Sequence, residues 1–126
     1  MARMAASSAH NFHAIQPILR VEDMDRALGF YVGVLGFSNA PWGDGAFTSV
    51  TRDEAGLYLS RQSQGKGEAW GWIGVADFDA LHAGLVAKGV AIRMAPTTYP
   101  HAREMHVADP DGNVLRFGSD PEQEQQ

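Results

Sequence analysis

Trp70 and Trp72 flank a single glycine, and Glu104 and His106 flank a single methionine. In an extended strand, side chains two residues apart leave the same face. Each pair therefore acts from one surface. An indole offers a broad apolar face and one N–H donor, and its π-cloud attracts rings and cations. A carboxylate sharing a face with an imidazole is an acid–base candidate, and an arginine such as Arg116 can orient carboxylate, sulfate or phosphate groups. These residues also have plainer uses. Two tryptophans can fill a subunit interface or a core between sheets, and Arg116 with Glu104 can form an internal ion pair. The chain has no cysteine, which excludes disulfides, thiolate metal sites and a cysteine nucleophile.

The elements that must position these groups occur twice. Val21-Glu-Asp-Met-Asp25 and Val75-Ala-Asp-Phe-Asp79 share the pattern Val-x-Asp-apolar-Asp, 54 residues apart. A short apolar segment precedes each copy, Ile15 to Arg20 and Trp70 to Gly74. A helix follows each, with Asp23 and Asp77 as N-caps and with Gly36 and Gly89 at the ends. In the first helix Ala27, Leu28, Tyr31, Val34 and Leu35 form the apolar stripe. In the second, Phe78, Leu81 and Leu85 do so, while Ala80, Ala83 and Gly84 permit close approach. His82 lies off that stripe and reads as a surface group.

Three strands are expected after each helix. The first set is 37–42, 46–52 and 57–61, broken at Gly43-Asp-Gly45 and Asp53-Glu-Ala-Gly56. The second is 91–95, 103–108 and 113–118, with Asp109-Pro-Asp-Gly112 as a tight hairpin. The fold class is therefore α+β: two tandem βαβββ modules, 11–62 and 68–119, forming a curved mixed sheet around a cleft. Residues 1–10 and 120–126 read as disordered tails, and the polar, glycine-rich stretch 62–68 as a linker.

Alternation then assigns faces. Ile15, Pro17, Leu19 and Val21 suit the helix side, which turns Gln16, Ile18 and Arg20 outward. Ile73, Val75, Met105, Val107, Leu115 and Phe117 likewise suit the core. The open face collects Gln16, Arg20, Trp70, Trp72, Glu104, His106, Val114 and Arg116.

The net charge of −5 over 126 residues disfavours nucleic acid and anionic membranes and mildly favours cationic ligands. No apolar run is long enough to span a bilayer, and 1–10 lacks the apolar core of a signal peptide. The expected location is the cytoplasm.

The stretch from Pro17 to Phe37, with Phe30-Tyr31 and Leu35-Gly36-Phe37, resembles the opening of the vicinal oxygen chelate superfamily, as do Trp72 to Leu81 and the closing Asp109-Pro-Asp-Gly-Asn113. That group includes glyoxalase I, extradiol dioxygenases, fosfomycin-resistance enzymes and bleomycin-resistance proteins. The similarity covers roughly 13–118. It implies metal ligands in strands one, five and eight, and in some members four. Here those positions carry Gln16, Trp70 and Arg116, with Ser60 the nearest match in strand four. An indole is no ligand, and a guanidinium puts a fixed positive charge where a dication would sit. His13 and His101 read as surface groups, and His106 with Glu104 as the one place for an improvised site.

The resemblance therefore points to the non-enzymatic, bleomycin-resistance-like branch. It implies a homodimer that sequesters a small aromatic molecule, with a bleomycin-type antibiotic as the model ligand, without a metal or other cofactor. Trp42, Phe47, Tyr58, Trp70 and Trp72 are expected to line the groove and Arg116 to orient a polar group. Two alternatives remain open at this point. One is a divergent metal-dependent lyase, isomerase or dioxygenase, or a metal-free enzyme using His106 and Glu104. The other is an interaction domain with the tryptophan face buried by a partner.

Overall fold

The computed structural model describes residues 11–62 and 67–121. The expected N-terminal tail, most of the C-terminal tail and the centre of the linker lie outside the described residues. The chain runs β1 (Ile18–Arg20), α1 (Met24–Leu28), a π-helical turn (Gly29–Val34), β2 (Ser38–Asn39), β3 (Phe47–Arg52) and β4 (Ala55–Ser60). It continues with β5 (Trp70–Gly74), α2 (Phe78–Ala87), β6 (Ile92–Thr98), β7 (Arg103–Ala108) and β8 (Val114–Ser119).

The strands form two separate four-stranded sheets, ordered β1-β4-β3-β2 and β5-β8-β7-β6. In each, the first strand pairs parallel with the last, and the other pairings are antiparallel. The repeat is therefore carried by register as well as by order. Ile18 faces Tyr58 as Trp72 faces Arg116.

Local chemistry accounts for the helix ends. Asp23 and Asp77 accept from the backbone N–H groups of Arg26 and Ala80, as N-caps do. Gly36 and Gly89 adopt φ of +76° and +75°, the left-handed conformation that ends a helix at little cost only for glycine. In the wider turn after α1 the Leu35 N–H reaches back five residues to the Phe30 carbonyl. Lys88 and Arg52 donate to the Val34 and Leu35 carbonyls at 2.7 Å each, satisfying the acceptors that this helix end leaves open.

One core joins the modules. Leu19, Val21, Ala27, Tyr31, Leu35 and Leu59 meet Phe78, Leu85, Met105, Val107, Leu115 and Phe117 in a single buried cluster. The Asp109–Asn113 hairpin latches module two to module one. The Tyr31 hydroxyl donates to Asp109 Oδ2 at 2.8 Å, and Asn113 Nδ2 donates to the Arg20 carbonyl at 3.1 Å. The Glu22 N–H donates to Asp111 Oδ1 at 2.9 Å. Burial, with the adjacent Asp109 charge and hydrogen bond, pushes the Tyr31 hydroxyl far above its ordinary pKa.

Several sequence expectations need correction. The first strand begins at Ile18 rather than Ile15, because Pro17 lacks the N–H that would continue the ladder, and Ile15 is 99% exposed rather than in the core. The strand expected over 37–42 shrinks to two residues, since Pro41 stops the pairing and Trp42 sits in the turn. Ala80, Ala83 and Gly84 are exposed, and a Cβ added at Gly84 would meet nothing within 4 Å. Val114, assigned to the open face, is buried.

Candidate functional site

The open face of module two is built in register rows. Trp70 lies beside Val114 and Ala108, and Trp72 beside Arg116 and His106. Gly74 lies beside Gly118 and Glu104. Trp72 does not stand upright in its row. Its ring leans across Gly118 and Gly74, where added Cβ atoms would come within 2.5 and 3.1 Å of it. Two glycines thus create the bed on which the indole lies. The lean carries Nε1 to Glu104 Oε2, where it donates at 3.0 Å.

Glu104 is 2% exposed, and both of its oxygens are engaged. Arg116 Nη2 donates to Oε1 at 2.6 Å, and His101 Nε2 lies 3.7 Å from Oε2. Burial alone would raise the carboxyl pKa. The hydrogen bonds from Arg116 and Trp72, together with the nearby charges, outweigh burial and hold it below the usual range. His106 packs edge-on against Trp70, with ring centroids 5.1 Å apart. Burial, then the charges of Arg116 and Arg93, hold its pKa below the ordinary histidine value despite Glu104. Glu104 is thus an engaged anion and His106 a neutral ring at neutral pH, and the two do not form an acid–base dyad. His101 is a surface group as expected, 65% exposed; it stacks on Tyr99, and its Nε2 is the atom near Glu104.

Module one carries a separate aromatic row. Trp42 stacks on Phe47 at 6.2 Å and Phe47 on Tyr58 at 5.2 Å. Asp44 Oδ1 accepts from the Ala46 and Phe47 N–H groups, fixing the turn that presents this stack. Those two bonds hold the Asp44 carboxyl below its usual pKa. Arg20 is turned to local partners, the Val21 carbonyl and Glu22.

The structure thus gathers Trp70, Trp72, Glu104, His106 and Arg116 on one face and Trp42, Phe47 and Tyr58 on another. No ring contact among the described residues joins the two rows. Trp42, Trp70 and Trp72 are 61%, 54% and 55% exposed. Gln16 lies against Gly56 and shares a cavity of about 510 Å³ with Trp72 and Ile73. A larger cavity, about 730 Å³, opens between the modules beside Phe37, Ile73, Leu81 and Lys88. None of the residues expected on the open face or in the aromatic groove lines it.

Sequence reasoning missed Arg93, whose guanidinium sits 5.7 Å from the Trp70 ring centroid. β6 carries two register irregularities, so alternation along it does not reveal which face Arg93 takes. It also missed Gly118, which alternation could have placed opposite Glu104.

The positions that hold metal in the resembled superfamily were tested on donor chemistry. By register Tyr58, not Ser60, occupies the β4 place equivalent to Arg116, and the buried Ser60 matches Gly118. The set is then Gln16, Tyr58, Trp70 and Arg116. It holds one amide, one phenol, an indole without a free lone pair and a permanent cation. A dication requires several convergent donors, so this set does not fit one. Among the described residues no three His, Asp or Glu groups are arranged to hold a metal ion.

A family model described as glyoxalase/bleomycin resistance protein/dioxygenase superfamily matches residues 11–117. Among solved structures, the chain is similar to the bleomycin-binding protein of bleomycin-producing Streptomyces verticillus, complexed with copper(II)-bleomycin. Identity is 30%, the TM-score 0.71, and coverage 86% of this chain and 96% of that one. It is also similar to TnmS3, an antibiotic-binding protein from Streptomyces sp. CB03234, at 29% identity and TM-score 0.73, covering 86% and 97%. Lactoylglutathione lyase from Agrobacterium tumefaciens shares the fold at 19% identity and TM-score 0.73, covering 87% and 96%. No curated protein matches the sequence. No helix among the described residues is long and apolar enough to cross a membrane.

Proposed function

This chain belongs to the glyoxalase/bleomycin resistance protein/dioxygenase superfamily, and on that premise we propose that it binds and sequesters a small aromatic molecule without a metal. The observation that carries this reading is Trp72. Its indole is held flat by Gly118 and Glu104 yet stays half exposed, a rigid stacking surface, and Trp70 is a second exposed indole on the same strand. A pre-positioned ring loses little freedom on binding, so stacking contributes more of its gross energy to affinity. Two relatives near 30% identity bind antibiotics, one of them bleomycin, which supports the same class of ligand here.

Each aromatic row is one wall of a groove, and the two rows of one chain do not meet. The reading therefore includes a homodimer in which a second copy supplies the facing wall. The exposed apolar area of Trp42, Trp70, Trp72 and Ile18 fits a surface that is covered on assembly. The donor set that does not fit a dication supports sequestration over metal-dependent lyase, isomerase or dioxygenase chemistry. The engagement of Glu104 removes the general base a metal-free enzyme would use.

The test is titration of the full chain with metal-free bleomycin and with 2-(hydroxymethyl)anthraquinone, followed by tryptophan fluorescence, with elemental analysis of the same preparation. Saturable quenching by at least one probe, with ligand recovered unaltered, is expected. No spectral change with either probe, or stoichiometric nickel, zinc, manganese or iron in the protein, would overturn the reading.

A further inference from the structure

We infer that the module-two face selects its aromatic ligand by charge, taking a planar ring that bears an anionic or strongly accepting group and disfavouring a cationic one. This rests on the ligand-binding reading above and names the ligand class of that same face. Four side chains carry it: Trp70, Arg93, His106 and Arg116.

Arg93 lies over Trp70 at 5.7 Å. Among the described residues no carboxylate forms an ion pair with it. Its charge is therefore presented on the Trp70 ring itself, from an exposed position. A ring stacked on Trp70 would bring its substituents beside that guanidinium.

Arg116 supplies the second feature. Its Nη2 is committed to Glu104, but its Nε is buried and has no hydrogen-bond partner among the described residues. A buried N–H without an acceptor is costly, and a turn of the 40% exposed Arg116 side chain toward a ligand oxygen would relieve that cost. His106 stands beside Arg116 in register and edge-on to Trp70. Held neutral by burial and by the two guanidiniums, it offers a hydrogen bond and adds no charge.

The local charge count runs opposite to that of the whole molecule. Glu104 is cancelled by Arg116, which leaves Arg93 as the net charge of the cluster. The net −5 of the chain attracts cations from a distance, but salt screens such attraction beyond roughly 8–10 Å. At contact range the guanidiniums decide. In module one Arg20 is already turned to Glu22 and the Val21 carbonyl.

The experiment uses three anthraquinones with one ring system, bearing 2-sulfonate, 2-hydroxymethyl or 2-aminomethyl groups. Affinities for the full chain are read by tryptophan fluorescence and calorimetry at two salt concentrations. The sulfonate is expected to bind on the order of tenfold more tightly than the aminomethyl compound, with the hydroxymethyl compound between. Arg93→Gln, at an exposed position, is expected to shrink that ratio to about threefold or less. Equal affinities for all three, or a preference for the cation, would overturn the charge selection and leave aromatic binding standing. A ratio unchanged in Arg93→Gln would remove Arg93 from it. Failure of all three to bind would overturn the binding reading itself, and the charge selection with it.

Discussion

The indole N–H of Trp72 and the guanidinium of Arg116 meet on one carboxylate, Glu104, at 3.0 and 2.6 Å. Glu104 thereby fixes the stacking surface and the charged group beside it. Its own burial is compensated only because both partners are in place.

Glu104→Gln should therefore loosen both neighbours. A loss of about 1–3 kcal/mol in stability is expected, toward the lower end because the Arg116 side chain is 40% exposed and can rehydrate. Chemical denaturation at neutral pH measures it. A variant as stable as the native chain and with an unaltered tryptophan spectrum would show that Glu104 does not hold the cluster.

Gly118→Ala tests the bed beneath Trp72. The new methyl would lie 2.5 Å from the indole, so the ring must swing away and give up its bond to Glu104. The expected cost is about 1–3 kcal/mol, with a shifted tryptophan emission and at least severalfold weaker anthraquinone binding. Unchanged emission and affinity would remove the pre-positioned indole from the account.

Tyr31→Phe removes the hydroxyl that joins the modules at Asp109. Asp109 keeps the Asp111 and Asn113 N–H groups and Asn113 Nδ2, so the expected loss is modest, about 1–2 kcal/mol. The pH dependence is more diagnostic. The folded hydroxyl titrates well above its ordinary value of 10, so the unfolded chain gives up this proton first. This contribution to stability is full below pH 10 and is lost as pH rises beyond it. Alkaline denaturation should begin at lower pH in the native chain than Tyr31→Phe would show after normalisation to neutral stability.

The acid limb has a second marker in His106. Its folded pKa is depressed, so the unfolded chain takes up a proton first as pH falls through the ordinary value of 6.5. Stability is full above that value and declines below it until the folded ring is protonated as well. His106→Gln should flatten this portion of the curve. Proton NMR of the imidazole should place its midpoint below 6.5, and a midpoint above it would contradict the burial described here.

Much of this molecule can be read from one dimension because the forces involved are local. The caps Asp23 and Asp77, the terminating Gly36 and Gly89 and the Asp109–Gly112 hairpin each depend on backbone conformation over a few residues. The strands carrying Trp72, Glu104, His106 and Arg116 were legible because alternation in a strand is a rule of covalent geometry. Alternation assigns a face, however, and says nothing of how far a side chain leans within it. Only packing decided that Trp72 would lie across Gly118 to reach Glu104, and that irregular pairing along β6 would set Arg93 over Trp70. Only packing gathered the helix sides of both modules into one core and left the Trp42–Phe47–Tyr58 row apart from the Trp70–Trp72 row. The relative placement of two sheets is settled by apolar burial summed over residues far apart in the chain, and no short stretch of sequence contains that sum.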